Sequence, residues 1–170
     1  MWGGRTQVYR QGHKDRLQST MNIFNLYLEA WQEQHTIGMP PGALYTGACA
    51  AHSKLLYSFG GFDEKFWYNC LHVLDTDTLV WRDINNPTNS PMRKSGCGMV
   101  FCDNHHLATI GGYGLPTYPL QTGSHFCKNL ENTEGAGWTD EFHIFDVLEG
   151  KEIALNSSGA IFNVGTGLVR

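Results

Sequence analysis

Apolar and polar positions along this chain change rhythm at glycines. The run LLYSF (55–59) is apolar with one polar break and stops at the pair Gly60-Gly61. Beyond a short insert, CLHVLDTDTLVW (70–81) alternates apolar with polar positions and closes on Trp81. A short apolar run between turn residues suits a strand buried on both faces, and alternation suits a half-buried one. Four strands are therefore predicted: GACAAH (47–52), LLYSF (55–59), CLHVLD (70–75) and LVWRDI (79–84). Turns are expected at Ser53-Lys54 and over 76–78, where Asp and Thr supply local hydrogen bonding. The glycine pair is expected to let the backbone leave the crowded second strand with positive φ.

The pattern recurs. MWGG ends on Gly3-Gly4, and LATIGGYG carries Gly111-Gly112. An apolar-polar run trails each pair: NIFNLYLEAW (22–31), the 70–81 run, and EFHIFDVLEGKE (141–152). From Gly60 to Gly111 is 51 residues, and from Trp31 to Trp81 is 50. A fixed period near that length marks an array of supersecondary units. The units are read as 1–36, 43–86 and 94–151, with 152–170 matching none of them. The first begins partway through its second strand, and the third lacks the strand-four tryptophan.

A repeat of about 50 residues with a glycine pair, then an aromatic, then a tryptophan resembles the kelch repeat. The resemblance implies an all-β, kelch-type β-propeller, whose blades are four-stranded sheets around a channel. About two whole blades plus a partial one are expected, where closed propellers have typically four or more. The expectation is an incomplete propeller: a fragment, an incomplete gene model, or a piece that pairs with another chain.

Composition narrows the function. Charged residues make up only 16% and glycines number 20, which suits short strands and tight turns. The net charge of -4, without a basic run, argues against nucleic acid and anionic membranes as partners. No apolar stretch reaches a membrane span and no apolar leader opens the chain, so an intracellular protein, cytoplasmic or nuclear, is expected. Cys49, Cys70, Cys97, Cys102 and Cys127 are odd in number and lack a CxxC pair, and read as reduced core residues. No catalytic constellation, metal site or cofactor motif emerges, so an enzyme is not expected. His105-His106 reads as part of a turn with Asp103-Asn104, His72 and His143 as structural hydrogen-bonding residues, and Asp75 and Asp146 as turn caps.

MWGGR, GMPPGALYTGACAAHSKLLYSFGG, GGYGLP and GWTDEFHIFD are similar to the first blades of the kelch-domain substrate receptors of cullin-2 ubiquitin ligases. That resemblance implies capture of peptide C-termini, notably those ending in glycine. It maps a pocket tyrosine onto Tyr113, a loop tryptophan onto Trp138, and a pocket lysine onto Lys94 in the loop before Gly96. It also implies elongin and cullin-2 as partners, through segments outside this sequence. An aromatic that the family carries after its first glycine pair is replaced by Arg5. Two readings of Tyr113 and Trp138 stand: walls of the site, or covers over the apolar edge of the second strand. Lys94 likewise stands between a site residue and a solvated loop charge. The alternative function is a scaffold or cytoskeletal kelch module with no role in degradation.

Overall fold

A computed structural model describes residues 2, 5–6, 16–17, 20–84, 91–115 and 135–147. Gly3, Gly4, Cys127 and the 152–170 tail lie outside them. The described residues form strands and no helix, consistent with an all-β propeller fragment whose sheets do not close into a ring. Among them no helix is long and apolar enough to cross a membrane.

Two short strands, β1 (Arg5–Thr6) and β2 (Arg16–Leu17), pair with each other. β3 (Met21–Asn25) and β4 (Ala30–Gln34) follow as a hairpin, and Trp2 bridges Met21. The run 22–31 is therefore two strands and a turn, the form predicted for 70–81. Asn25 Oδ1 accepts the amides of Tyr27 and Leu28 at 2.9 and 3.0 Å and turns the chain, with Glu29 at φ 50°. Asp75 does the same for Asp77 and Thr78 at 2.9 and 3.0 Å, with Leu79 at φ 58°. The two turns share one backbone form. An apolar tip, Leu26-Tyr27-Leu28, stands in the first where Thr76-Asp77-Thr78 stands in the second.

Blade two is complete: β6 (Ala48–His52), β7 (Leu55–Phe62), β8 (Trp67–Asp75) and β9 (Val80–Asp83). A fifth strand, β5 (Ile37–Gly38), runs parallel to β9 on its outer edge. It falls between the predicted units, where a two-residue strand has no alternation to reveal it. His72 Nδ1 lies 3.2 Å from the carbonyl of Met39 and helps hold that segment. Burial holds the His72 imidazole below its ordinary value.

Contrary to the expectation, the glycine pair does not end the second strand. β7 runs through it to Phe62, with a register shift between Phe59 and Gly61. The positive φ values are present, 64° at Gly60 and 111° at Gly61. In blade three the corresponding values are 64° and 113°, and there the strand does break. Blade three pairs β11 (Gly98–Phe101), β12 (His106–Ile110) and β15 (Phe142–Asp146) in that order.

The core lies between blades. Tyr57, Phe59, Leu71, Val73 and Ile84 of blade two pack against Leu107, Phe145 and Val147 of blade three. On the other face, Leu74 and Trp81 pack against Met21 and Trp2 of blade one. Alternate positions of β7 and β8 thus serve opposite neighbours, the period of two that a strand imposes. Cys97 packs against the first cluster, but Cys49 and Cys102 are exposed, against the expectation of core residues. Cys49 takes the outward position of an edge strand and Cys102 sits in a turn.

Candidate functional site

Beyond the glycine pair, the strands of blade three continue as a second small sheet. It is built from β10 (Arg93–Ser95), β13 (Tyr113–Leu115) and β14 (Gly137–Trp138), in that order. Each prolongs one of β11, β12 and β15, past Gly96-Cys97, Gly111-Gly112 and residues 139–141 respectively. Gly111 N bonds the carbonyl of Glu141, and Thr139 N that of Gly112, both at 2.9 Å, so the ladder survives the bend.

The register exposes an equivalence between blades. Phe62 pairs with Trp67 four residues before Leu71, and Tyr113 with Trp138 four residues before Phe142. In blade one the same position pairs Arg5 with Leu17, four residues before Met21. Tyr45 bridges Phe62 as Ser95 bridges Tyr113. Each blade therefore presents one cross-strand pair just past its glycine pair, whatever the length of the insert between the two partners.

In blades two and three these pairs join into an aromatic row. Tyr45 meets Phe62 edge-on at 5.6 Å between ring centroids, and Phe62 stacks on Trp67 at 4.6 Å. Trp67 tilts against Tyr113 at 5.7 Å, and Tyr113 meets Trp138 edge-on at 5.4 Å. Such contacts each add about 0.5–1.5 kcal/mol beyond buried area. Trp67 also donates from Nε1 to Ser95 Oγ at 3.2 Å, crossing from blade two to blade three.

The structure brings Tyr113 and Trp138 together. Tyr113 is half-buried in the middle of the row, and Trp138 ends it, 82% exposed. Lys94 differs from its expectation. It is not in a loop but in β10, opposite Gly114, with no exposed surface. Its Nζ donates to Glu141 Oε2 at 2.8 Å, and the same carboxylate accepts the Met92 amide at 3.0 and 3.2 Å. The ammonium is committed to an internal carboxylate. A side chain on Gly114 would collide with the backbone of Arg93, so only glycine lets β10 and β13 approach.

Sequence reasoning passed over Tyr45, Phe62, Trp67, Ser95 and Glu141. Phe62 was within reach, because it follows Gly61 as Tyr113 follows Gly112. Glu141 carries no local sign, since its partner is 47 residues away.

The remaining polar residues are turn-forming or structural. Asp103 Oδ1 accepts the amides of His105 and His106 at 2.7 and 2.8 Å, and its Oδ2 lies 2.7 Å from His106 Nδ1. Those amides and the His106 ring pull the Asp103 carboxyl down to about 2, and the carboxylate raises the imidazole in turn. His143 is buried against Phe145 at 4.6 Å, and burial lowers its imidazole. Unlike His72, its Nε2 has no hydrogen-bond partner among the described residues. Among those residues no three His, Cys, Asp or Glu side chains cluster as metal ligands would.

Compared with known proteins, residues 1–146 match the KLHDC2/KLHL20/DRC7 Kelch-repeats domain. Kelch domain-containing protein 2 of Bos taurus is 25% identical over 122 residues, 72% of this chain and 30% of that protein. Kelch domain-containing protein 3 of Rattus norvegicus is 23% identical over 156 residues, 89% of this chain and 39% of that protein. Acyl-CoA-binding domain-containing protein 5 of Arabidopsis thaliana is 29% identical over 104 residues, 60% of this chain and 16% of that protein. The chain thus spans well under half the length of each of these relatives.

Proposed function

Because the chain belongs to the kelch-repeat family, whose domains are protein-interaction modules, we propose that its ligand is a peptide C-terminus held on the aromatic row. The observation that carries this reading is the row itself, from Tyr45 to Trp138, lying past the glycine pairs of two successive blades. Rigid aromatic walls with a hydroxyl or indole N–H at one end suit a peptide that must be fixed in orientation as well as buried. A C-terminal glycine, lacking Cβ, could lie flat against such walls. Its carboxylate would take backbone amides or an arginine fork. Lys94 has no part in this reading, because its ammonium already serves Glu141. In the longer receptor that the resemblance suggests, the captured peptide would be presented to a ubiquitin ligase.

The test is tryptophan fluorescence and NMR titration of the chain with peptides ending in Gly-Gly, against the same peptides amidated. Saturable binding that amidation weakens at least tenfold, and that Tyr113→Ala removes, is the expected result. Equal binding of acid and amide forms would dispose of carboxylate recognition and leave a scaffold-type interaction surface.

A further inference from the structure

The small sheet beyond the bend carries a second basic side chain beside Lys94. In β10, Arg93 lies opposite Leu115, and two residues on, Ser95 lies opposite Tyr113. Directly paired residues share a face of a sheet, as do residues two apart along a strand. Arg93 therefore shares a face with Ser95, Tyr113 and Leu115, and Lys94 takes the other. That face is the one turned to the aromatic row. Ser95 Oγ accepts the Trp67 indole at 3.2 Å, and the Tyr113 ring meets both Trp67 and Trp138. Arg93 stands about 7 Å along the strand from that level, within the span of an extended arginine side chain. The two cations differ in company. Lys94 is buried on Glu141, whereas Arg93 is half-buried and its guanidinium has no hydrogen bond or ion pair among the described residues. Two carboxylates near the row are already engaged. Asp63 accepts the Lys65 and Phe66 amides at 3.0 and 2.7 Å and the Tyr68 hydroxyl at 2.7 Å, and Glu141 holds Lys94 and the Met92 amide.

We propose that Arg93 is the charge-selecting residue of the aromatic row, its guanidinium forking onto a carboxylate of the bound peptide. The inference rests on the peptide reading above and adds to it a named cation. A guanidinium partly withdrawn from water and without an anion gains most from a planar oxyanion that it can meet with two parallel donors. Lys94 cannot take this role, and Lys65, exposed in the turn after Asp63, is a solvated point charge without the fork. Blade two has no counterpart: the register that equates Tyr45 with Ser95 puts Ala43 at the position of Arg93. The row is therefore polar along its length, with rings alone at Tyr45 and Phe62 and a cation beside Tyr113. A carboxylate is drawn to the Tyr113 half. It is either the C-terminus of the peptide or an acidic side chain just before it; the chemistry at Arg93 is the same, and the test separates the two.

The test is titration of the wild-type chain and of Arg93→Gln with peptides ending in Gly-Gly, as acid and as amide, each made with Glu or Gln before the glycines. Arg93→Gln should erase a carboxylate preference of about tenfold, the size of one charge-assisted bond, and leave binding of the amidated Gln peptide unchanged. Loss of the acid-over-amide preference assigns the C-terminus; loss of the Glu-over-Gln preference assigns the side chain. Arg93→Lys keeps the charge without the fork and should recover only part of the preference. Lys65→Gln should leave it intact, against a general effect of charge. Urea unfolding of Arg93→Gln should match wild type, since its guanidinium holds nothing among the described residues. Weaker folding together with weaker binding of the amidated Gln peptide would make Arg93 a structural residue and overturn the proposal. A wild-type preference that survives in Arg93→Gln overturns it too, and leaves the peptide reading standing. A wild-type chain with no carboxylate preference overturns carboxylate recognition and this proposal with it.

Discussion

Lys94 and Glu141, 47 residues apart, form an ion pair of 2.8 Å whose lysine is wholly buried and whose carboxylate is partly open to solvent. The pair ties β10 to the start of β15 across β13. In blade two the register puts Leu44 and Cys70 at these positions, so blade two has no such pair.

The asymmetry of burial sets a first prediction. Glu141→Gln leaves a buried ammonium without its charge partner and should cost about 3–5 kcal/mol, read by urea denaturation. Lys94→Met should cost less, because Glu141 can turn to water and the apolar chain fills the same space. Equal costs would contradict the assignment of the buried partner. Gain of carboxylate-dependent peptide binding in Glu141→Gln would return Lys94 to the site.

Gly60 offers a second. Its φ of 64° is strained for any side chain, and a Cβ there would collide with the carbonyl of Lys94, the residue that begins the next blade. Gly60→Val should lose about 1–2 kcal/mol from conformation alone, and more from the clash. Gly96 has the same φ and open space about it, so Gly96→Ala should cost only the conformational part. Thermal or urea unfolding of the two variants measures the difference.

Trp67 is the seam between blades two and three, through its ring on Tyr113 and its indole on Ser95. Trp67→Ala should cost about 3–5 kcal/mol, the usual range for a buried aromatic. Trp67→Phe keeps most of the ring contact and should cost about 1 kcal/mol, from the lost hydrogen bond. In a double-mutant cycle with Ser95→Ala, the second change should then add little.

The Asp103–His106 turn sets a pH window. Asp103 is lowered to about 2, so its contribution is present above the ordinary carboxylate value and is lost as pH falls through about 2. His106 is raised, so its contribution is present below the ordinary imidazole value and fades as pH rises through the folded one. Both act together between roughly pH 4 and 6.5. An NMR titration should find His106 above the ordinary imidazole value, and Asp103→Asn should bring it back.

Strand order, repeat period and the kelch family were legible in the sequence, because glycine pairs, β-turn residues and alternation over two positions act over a few residues. Phe62 and Tyr113 after their glycine pairs, and Asp75 at its turn, are local instructions of that kind. The continuation of β7 through Gly60-Gly61 was not legible, since positive φ permits a bulge as readily as an exit. Nor were the contacts of Lys94, Trp67 and Trp138. Lys94 has the same sequence neighbours whether it is solvated or buried, and only Glu141, delivered by the pairing of β12 with β15, decides between them. Trp67 and Trp138 occupy one position of one repeat, and the sequence treats them alike. What separates them is that a blade stands beside the first and none is described beside the second. Burial is a property of neighbours brought together by packing, and no stretch of chain carries it alone.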